Sequence, residues 1–148
     1  MPRTPYLPPG TLREVLAYPS TTDKFDSNSF SSALLRLRLD RLVPNLDSSL
    51  RWDRELSEDE QQSLAFARVV LHKPPWVLID EVFDSLAEDA LQLVIDIFTK
   101  DLAQTAVIHI GRSDAHHFFP RVLHLIKDPM ARKLAQPAPA AADLAMST

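Results

Sequence analysis

The chain is 148 residues long, with 45% hydrophobic and 24% charged residues, a formal net charge of −4 and no cysteine. That length supports one domain with a real core, while the missing cysteines exclude disulfides and thiolate metal sites and the dispersed basic residues give no basis for nucleic-acid binding. No apolar run approaches the ~20 residues of a membrane-spanning helix, and the proline-rich start MPRTPYLPPG has no secretory apolar region, so the chain reads as soluble and cytoplasmic.

Residues 1–19 read as an extended, proline-punctuated segment leading into a short helix. Thr11 and Glu14 stand at capping-box spacing, Leu12, Val15 and Leu16 supply an apolar face, and Pro19 stops the helix. Residues 20–32 (STTDKFDSNSFSS) read as a polar surface loop, and a second helix is expected from about Ser32 to Leu42, ended by Pro44. Asn45 to Asp53 reads as a turn-rich connection. Trp52 and Tyr6 read as packing residues.

The chain is organised around Leu56 to Asp84, LSEDEQQSLAFARVVLHKPPWVLIDEVFD. Ser57 and Glu60 form a second capping-box pair. The helix from about Glu58 to Leu71 is apolar around most of its circumference, with Leu64, Phe66, Ala67, Val70 and Leu71 expected inside. Pro74 and Pro75 cannot continue it. The run Trp76 to Ile79 reads as a buried parallel strand, and it closes on two adjacent acids, Asp80 and Glu81. An amphipathic helix over 86–102 follows, with Leu91, Val94, Ile95, Phe98 and Leu102 at helical spacing. Thr105 to Ile110 is a second, β-branched strand. Gly111 to His117 reads as a turn or short helix, and Arg121 to Ile126 as a third strand. Alternating strands and helices predict an α/β layer with a parallel sheet. Residues 136–148, rich in alanine and proline, are expected to be disordered.

Only two glycines occur, Gly10 and Gly111, against 12 prolines. A loop that cradles phosphate needs several glycines so that N–H groups can converge. Neither G-x-x-x-x-G-K-[ST] nor G-x-G-x-x-G is present in these residues. The five histidines (His72, His109, His116, His117, His124) match no standard metal-ligand spacing, and His109 and His124 fall at alternate strand positions.

LSEDEQQSLAFAR resembles the signature motif and following helix of ABC-transporter ATP-binding domains, and WVLIDE resembles their Walker B strand. PYLPPGTLREVLAYP is similar to the stretch after the Q-loop in bacterial transporters related to the peroxisomal fatty-acyl type. TAVIHIGRSDAHHFFPRVLHL is similar to the H-loop strand and the strand after it. The resemblance covers about residues 1–128, with 129–148 as an alanine- and proline-rich tail. It implies the C-terminal part of a P-loop NTPase-like α/β domain, with a helical insert at about 10–55 and the signature helix and sheet at 56–128.

The resemblance also carries departures. The Walker A half of such a domain lies outside the matched order. The Q-loop glutamine falls at Arg3, the signature glycines at Glu58 and Asp59, and its glutamine at Glu60. The D-loop aspartate falls at Ala87 and the switch histidine at Arg112. The Walker B pair is intact.

What the family implies for these residues can be weighed against simpler readings. Asp80 would orient Mg²⁺ through water, a hard oxygen ligand for a hard cation. Glu81 would polarise the attacking water; the dipeptide could equally close a strand in a polar loop. Ser57 would offer its hydroxyl and a helix N-terminus to the γ-phosphate held by a partner domain. Three carboxylates at Glu58 to Glu60 oppose that contact, and a plain capping box accounts for Ser57 as well. Arg112 could meet phosphate as a cation or be a surface arginine.

The resemblance implies ATP and Mg²⁺ as cofactors. A membrane-spanning transporter domain and a second ATP-binding domain are the implied partners, at the cytoplasmic face of the inner membrane. Without a Walker A loop, the isolated 148 residues are expected to bind ATP poorly and not to hydrolyse it. The alternative is a non-catalytic remnant or regulatory module that binds a transporter.

Overall fold

The computed structural model describes residues 1, 4–111, 118, 119 and 121. Arg3, Arg112, the expected strand 121–126 beyond its first residue and the expected disordered tail lie outside the described residues. A helical part comes first. A two-residue strand β1 (Gly10–Thr11) leads into α1 (Leu12–Ala17), and α2 (Ser27–Arg36) follows. A 3-10 turn spans Asp40–Asn45, β2 (Ser49–Leu50) pairs antiparallel with β1, and a single turn α3 (Trp52–Glu55) precedes the long α4 (Glu58–His72). The sheet part is β3 (Trp76–Asp80), a 3-10 turn at Phe83–Ser85, α5 (Glu88–Lys100) and β4 (Ala106–Ile110). β3 and β4 are parallel, with Trp76 opposite Ala106 and Asp80 opposite Ile110. Helices and a parallel strand pair in this order agree with the expected α/β class.

Local chemistry explains most of these limits. Thr11 and Glu14 form the capping box of α1, and Ser57 and Glu60 that of α4, as their spacing predicts. α4 ends at Lys73 in the left-handed region (φ 44°), just ahead of Pro74, which satisfies a terminal carbonyl and turns the chain toward β3.

The second helix departs from expectation. It occupies Ser27–Arg36 rather than 32–42. Asp26 caps it by accepting the Ser29 N–H at 2.9 Å, and Phe30, Ala33 and Leu34 are buried against the core. Packing therefore overrides the poor helix propensity of the serine-rich segment. Arg38, with φ 57°, turns the chain out of the helix before Leu42.

One core joins the two parts. Leu12, Leu16, Phe30, Leu34, Leu42, Leu64, Phe66, Ile79, Phe83 and Ile97 are fully buried, and Phe66 meets Phe98 edge-on with ring centroids 6.4 Å apart. Phe66 and Ile79 share this core as expected. On the surface, Arg36 of α2 bridges Asp96 at 2.6 Å and Asp101 at 2.9 Å, tying α2 to the end of α5. Trp52 is buried and donates its indole N–H to the Gly10 carbonyl at 3.2 Å. Tyr6, read as a packing residue, is mostly exposed; its ring meets Tyr18 edge-on at 5.5 Å and its carbonyl accepts from Arg68 at 3.2 Å.

β3 corrects a second expectation. Its apolar run is not buried on both faces: Val77 and Ile79 are inside, while Trp76 and Leu78 face outward. Side chains of a strand alternate, so a run of four apolar residues is buried throughout only where both faces are covered.

Candidate functional site

Asp80 is the last residue of β3 and Glu81 the first beyond it, both with exposed carboxylates. They stand at the carboxyl end of a parallel strand pair, where open α/β sheets place their ligands. Glu81 has φ 57°, in the left-handed region that a non-glycine residue seldom occupies. Its N–H donates to the Ile110 carbonyl at 2.8 Å, one step beyond the ladder of β3. Val82 and Phe83 follow and are fully or almost fully buried. One backbone bond and two buried anchors thus hold Glu81 in its unfavourable turn, with its carboxylate in solvent; such over-determined strain is a feature of functional sites.

Behind this turn lies a crowded aromatic wedge. His109, Phe83 and Phe119 form a three-ring cluster: His109 stacks on Phe119 at 5.5 Å and meets Phe83 at a tilt at 4.9 Å, with Phe83 and Phe119 6.1 Å apart. A Cβ at Gly111 would lie 2.5 Å from His109 Nε2 and 2.9 Å from Asp84 Oδ2, so a larger residue there would force those side chains to move. His109 Nε2 is buried without a hydrogen-bond partner among the described residues. Burial lowers its pKa, against the opposing pull of the Asp84 and Asp80 carboxylates. His109 is opposite Ile79 in register and so lies on the covered face of the sheet, whereas Asp80 lies on the open one. Gln62 of α4 donates to Ser85 Oγ at 3.5 Å, linking the signature-like helix to the turn after the acids.

Ser57 is placed differently. Its hydroxyl accepts the Glu60 N–H at 3.3 Å and donates to Glu60 Oε2 at 3.2 Å, and its own N–H donates to the same oxygen at 3.0 Å. Glu60 is in turn held by Arg41, whose Nε donates to Oε1 at 2.8 Å. Burial raises the Glu60 pKa, but the bonds from Arg41 and Ser57 outweigh it and leave the carboxyl below its ordinary range. The helix terminus is therefore occupied by its own carboxylates, with Glu58 and Asp59 exposed beside it, and it does not fit an incoming phosphate.

A cleft of about 630 Å³ opens between residues 4–9, Arg51, Asp53 and the first turn of α4, and Asp80 and Glu81 do not line it. Among the described residues no three His, Asp or Glu side chains converge to hold an ion unaided. Nor is any described helix long and apolar enough to cross a membrane.

No family model matches the chain. Curated proteins do. An uncharacterized ABC transporter ATP-binding protein of Haemophilus influenzae is 36% identical over 107 residues, 72% of this chain and 18% of the relative. The inner membrane ABC transporter ATP-binding protein YddA of Escherichia coli is 29% identical over 110 residues, 73% of this chain and 19% of the relative. ABC transporter D family member 1 of Arabidopsis thaliana is 33% identical over 100 residues, 60% of this chain and 7% of the relative. The chain belongs to the ABC-transporter ATP-binding family. It spans about a fifth of the length of the first two relatives it matches, 18% and 21%.

Of the four ABC-type positions singled out from sequence, the structure brings Asp80 and Glu81 together and places Ser57 in a separate, self-satisfied cap; Arg112 lies outside the described residues. The left-handed turn at Glu81 and the His109 wedge were not foreseen. Gly111 was the one sequence signal of the second, since a glycine ending a strand marks close approach.

Proposed function

We propose that this chain is the distal portion of an ABC-transporter ATP-binding domain, with residues 10–55 as its helical insert. It contributes a Walker B acid pair to ATP hydrolysis only when a phosphate-binding loop is supplied beside it. The carrying observation is the Asp80–Glu81 pair, presented in solvent at the carboxyl end of a parallel strand by a held, left-handed turn.

Asp80 is suited to orient a magnesium ion through water, because a carboxylate is a hard oxygen ligand and the remaining ligands can come from phosphate and solvent. Glu81 is suited to accept a hydrogen bond from the attacking water and hold it in line. Magnesium, when bound with ATP, neutralises phosphate charge. Ser57 supports little in such a site, because its hydroxyl is committed to Glu60. The expected phosphate contact from Arg112 remains part of this proposal. A membrane-spanning transporter domain and a second ATP-binding domain are the proposed partners at the cytoplasmic face.

Grafting residues 4–111 in place of the matching stretch of the H. influenzae relative tests the reading. The graft is expected to hydrolyse Mg-ATP, and Glu81→Gln in the graft to abolish that turnover. A folded graft that binds ATP but turns over no faster than its Glu81→Gln form would instead favour the non-catalytic module. The acidic cap at Ser57 to Glu60 is the observation behind that second reading.

A further inference from the structure

Among the described residues Gln62 is the one polar side chain in the buried set, 7% exposed. It stands on α4 one turn before Phe66, on the side of the helix that meets the sheet part through the Phe66–Phe98 contact. Taking an amide out of water costs free energy that only hydrogen bonds recover. Leucine has a similar helix preference and a similar size, and it would fill this place without that cost. The glutamine is therefore accounted for by what it bonds.

Gln62 Nε2 donates to Ser85 Oγ at 3.5 Å, a long bond. Ser85 Oγ in turn donates to the Val82 carbonyl at 2.8 Å, and the Ser85 N–H donates to the same carbonyl at 3.1 Å. Val82 is fully buried and directly follows Glu81. Glu81 is thus held from two directions. On one side its own N–H is fixed on the Ile110 carbonyl at 2.8 Å. On the other, the turn from Val82 to Ser85 is fixed on α4. A non-glycine residue at φ 57° relaxes by rotating toward negative φ, and that rotation has to move one of these two flanks. Backbone strain persists only where the surroundings over-determine it.

We propose that Gln62 is a positioning residue for Glu81. Acting through Ser85 and the Val82 carbonyl, it holds from α4 the left-handed turn that aims the Glu81 carboxylate. Gln62 works at one remove, through two side-chain hydrogen bonds, and not on the reacting atoms. The consequence for turnover rests on the functional reading above; the support of the turn does not.

Amide exchange of the full 148-residue chain, followed by NMR, tests the link. In Gln62→Leu the Glu81 amide is expected to exchange about fivefold to tenfold faster, the effect of one lost hydrogen bond. The buried amides of Leu34 and Ile97 are expected to keep their rates. Ser85→Ala, which leaves Gln62 in place, is expected to give the same local change, and Ser85→Thr, which keeps the hydroxyl, to give none. The double variant Gln62→Leu with Ser85→Ala should be no worse than either single one, because both break the same chain of bonds. An unchanged Glu81 rate in Gln62→Leu overturns the proposal, and so do additive effects in the double variant. An equal acceleration at Leu34 and Ile97 overturns it as well, since it marks a residue that only stabilises the fold. In the graft described above, Gln62→Leu is expected to lower kcat for Mg-ATP about fivefold to tenfold at unchanged KM. A raised KM at unchanged kcat overturns the positioning role. A graft without turnover, with the Glu81 amide still responding to Gln62→Leu, fails the functional reading and leaves the support of the turn standing.

Discussion

In the helical part, residues 10–72, apolar side chains point into a shared core and the polar ends are closed by their own sequence. The sheet part, residues 76–110, is closed on one face only, and β3 runs out into two exposed acids, Asp80 and Glu81. The difference separates a part whose apolar and polar groups are satisfied internally from one whose outer sheet face stays exposed. The signature-like terminus of α4 has become a self-satisfied cap, with Ser57, Glu60 and Arg41 bonded to one another. The turn after β3 keeps an unfavourable φ at Glu81, with that residue exposed.

Neighbouring residues on β3 give the largest contrast. Ile79 is fully buried and Leu78 half exposed. Ile79→Ala is expected to cost ~2–5 kcal/mol through lost burial and a cavity, whereas Leu78→Ser should stay within about 0.5 kcal/mol. Urea unfolding of both variants checks this; equal losses would mean that the outer face is covered in the isolated chain. The cap of α4 comes next. Ser57→Ala removes the acceptor of the Glu60 N–H and should cost ~1 kcal/mol, read as a lower urea midpoint with an unchanged slope.

A smaller effect concerns pH. Burial lowers the pKa of His72 and of His109. Their folded values lie below the ordinary histidine value of about 6.5, so the unfolded chain binds protons first as pH falls. Stability is therefore expected to decline from pH 7.5 toward pH 5, and to decline less steeply in His109→Gln. Denaturant midpoints across that range check the sign, and a midpoint that rises on acidification would reverse it.

The parts legible in the sequence are those set by local chemistry. Thr11 with Glu14, and Ser57 with Glu60, announce helix starts because the capping partners are three residues apart. Lys73 before Pro74 and Pro75 announces the stop. The start of α2 at Ser27 was missed because a serine-rich stretch reads as loop, and only the burial of Phe30 by distant residues makes it helical. The open face of β3 was missed for a related reason. Trp76, Val77, Leu78 and Ile79 are equally apolar, and nothing in that run says which face its neighbours cover. In the site, Asp80 and Glu81 were legible from their place after an apolar strand. The left-handed turn of Glu81 was not, because it depends on the Ile110 carbonyl and on the burial of Val82 and Phe83.

Whether the acid pair is chemically complete by itself is decided by the rate of magnesium-dependent ATP hydrolysis by the purified 148-residue chain, measured beside its Glu81→Gln variant. The two rates should be equal and at background, because Asp80 and Glu81 stand without a phosphate-binding loop in these residues. Turnover above background that disappears in Glu81→Gln would contradict this and make the chain a hydrolase in its own right.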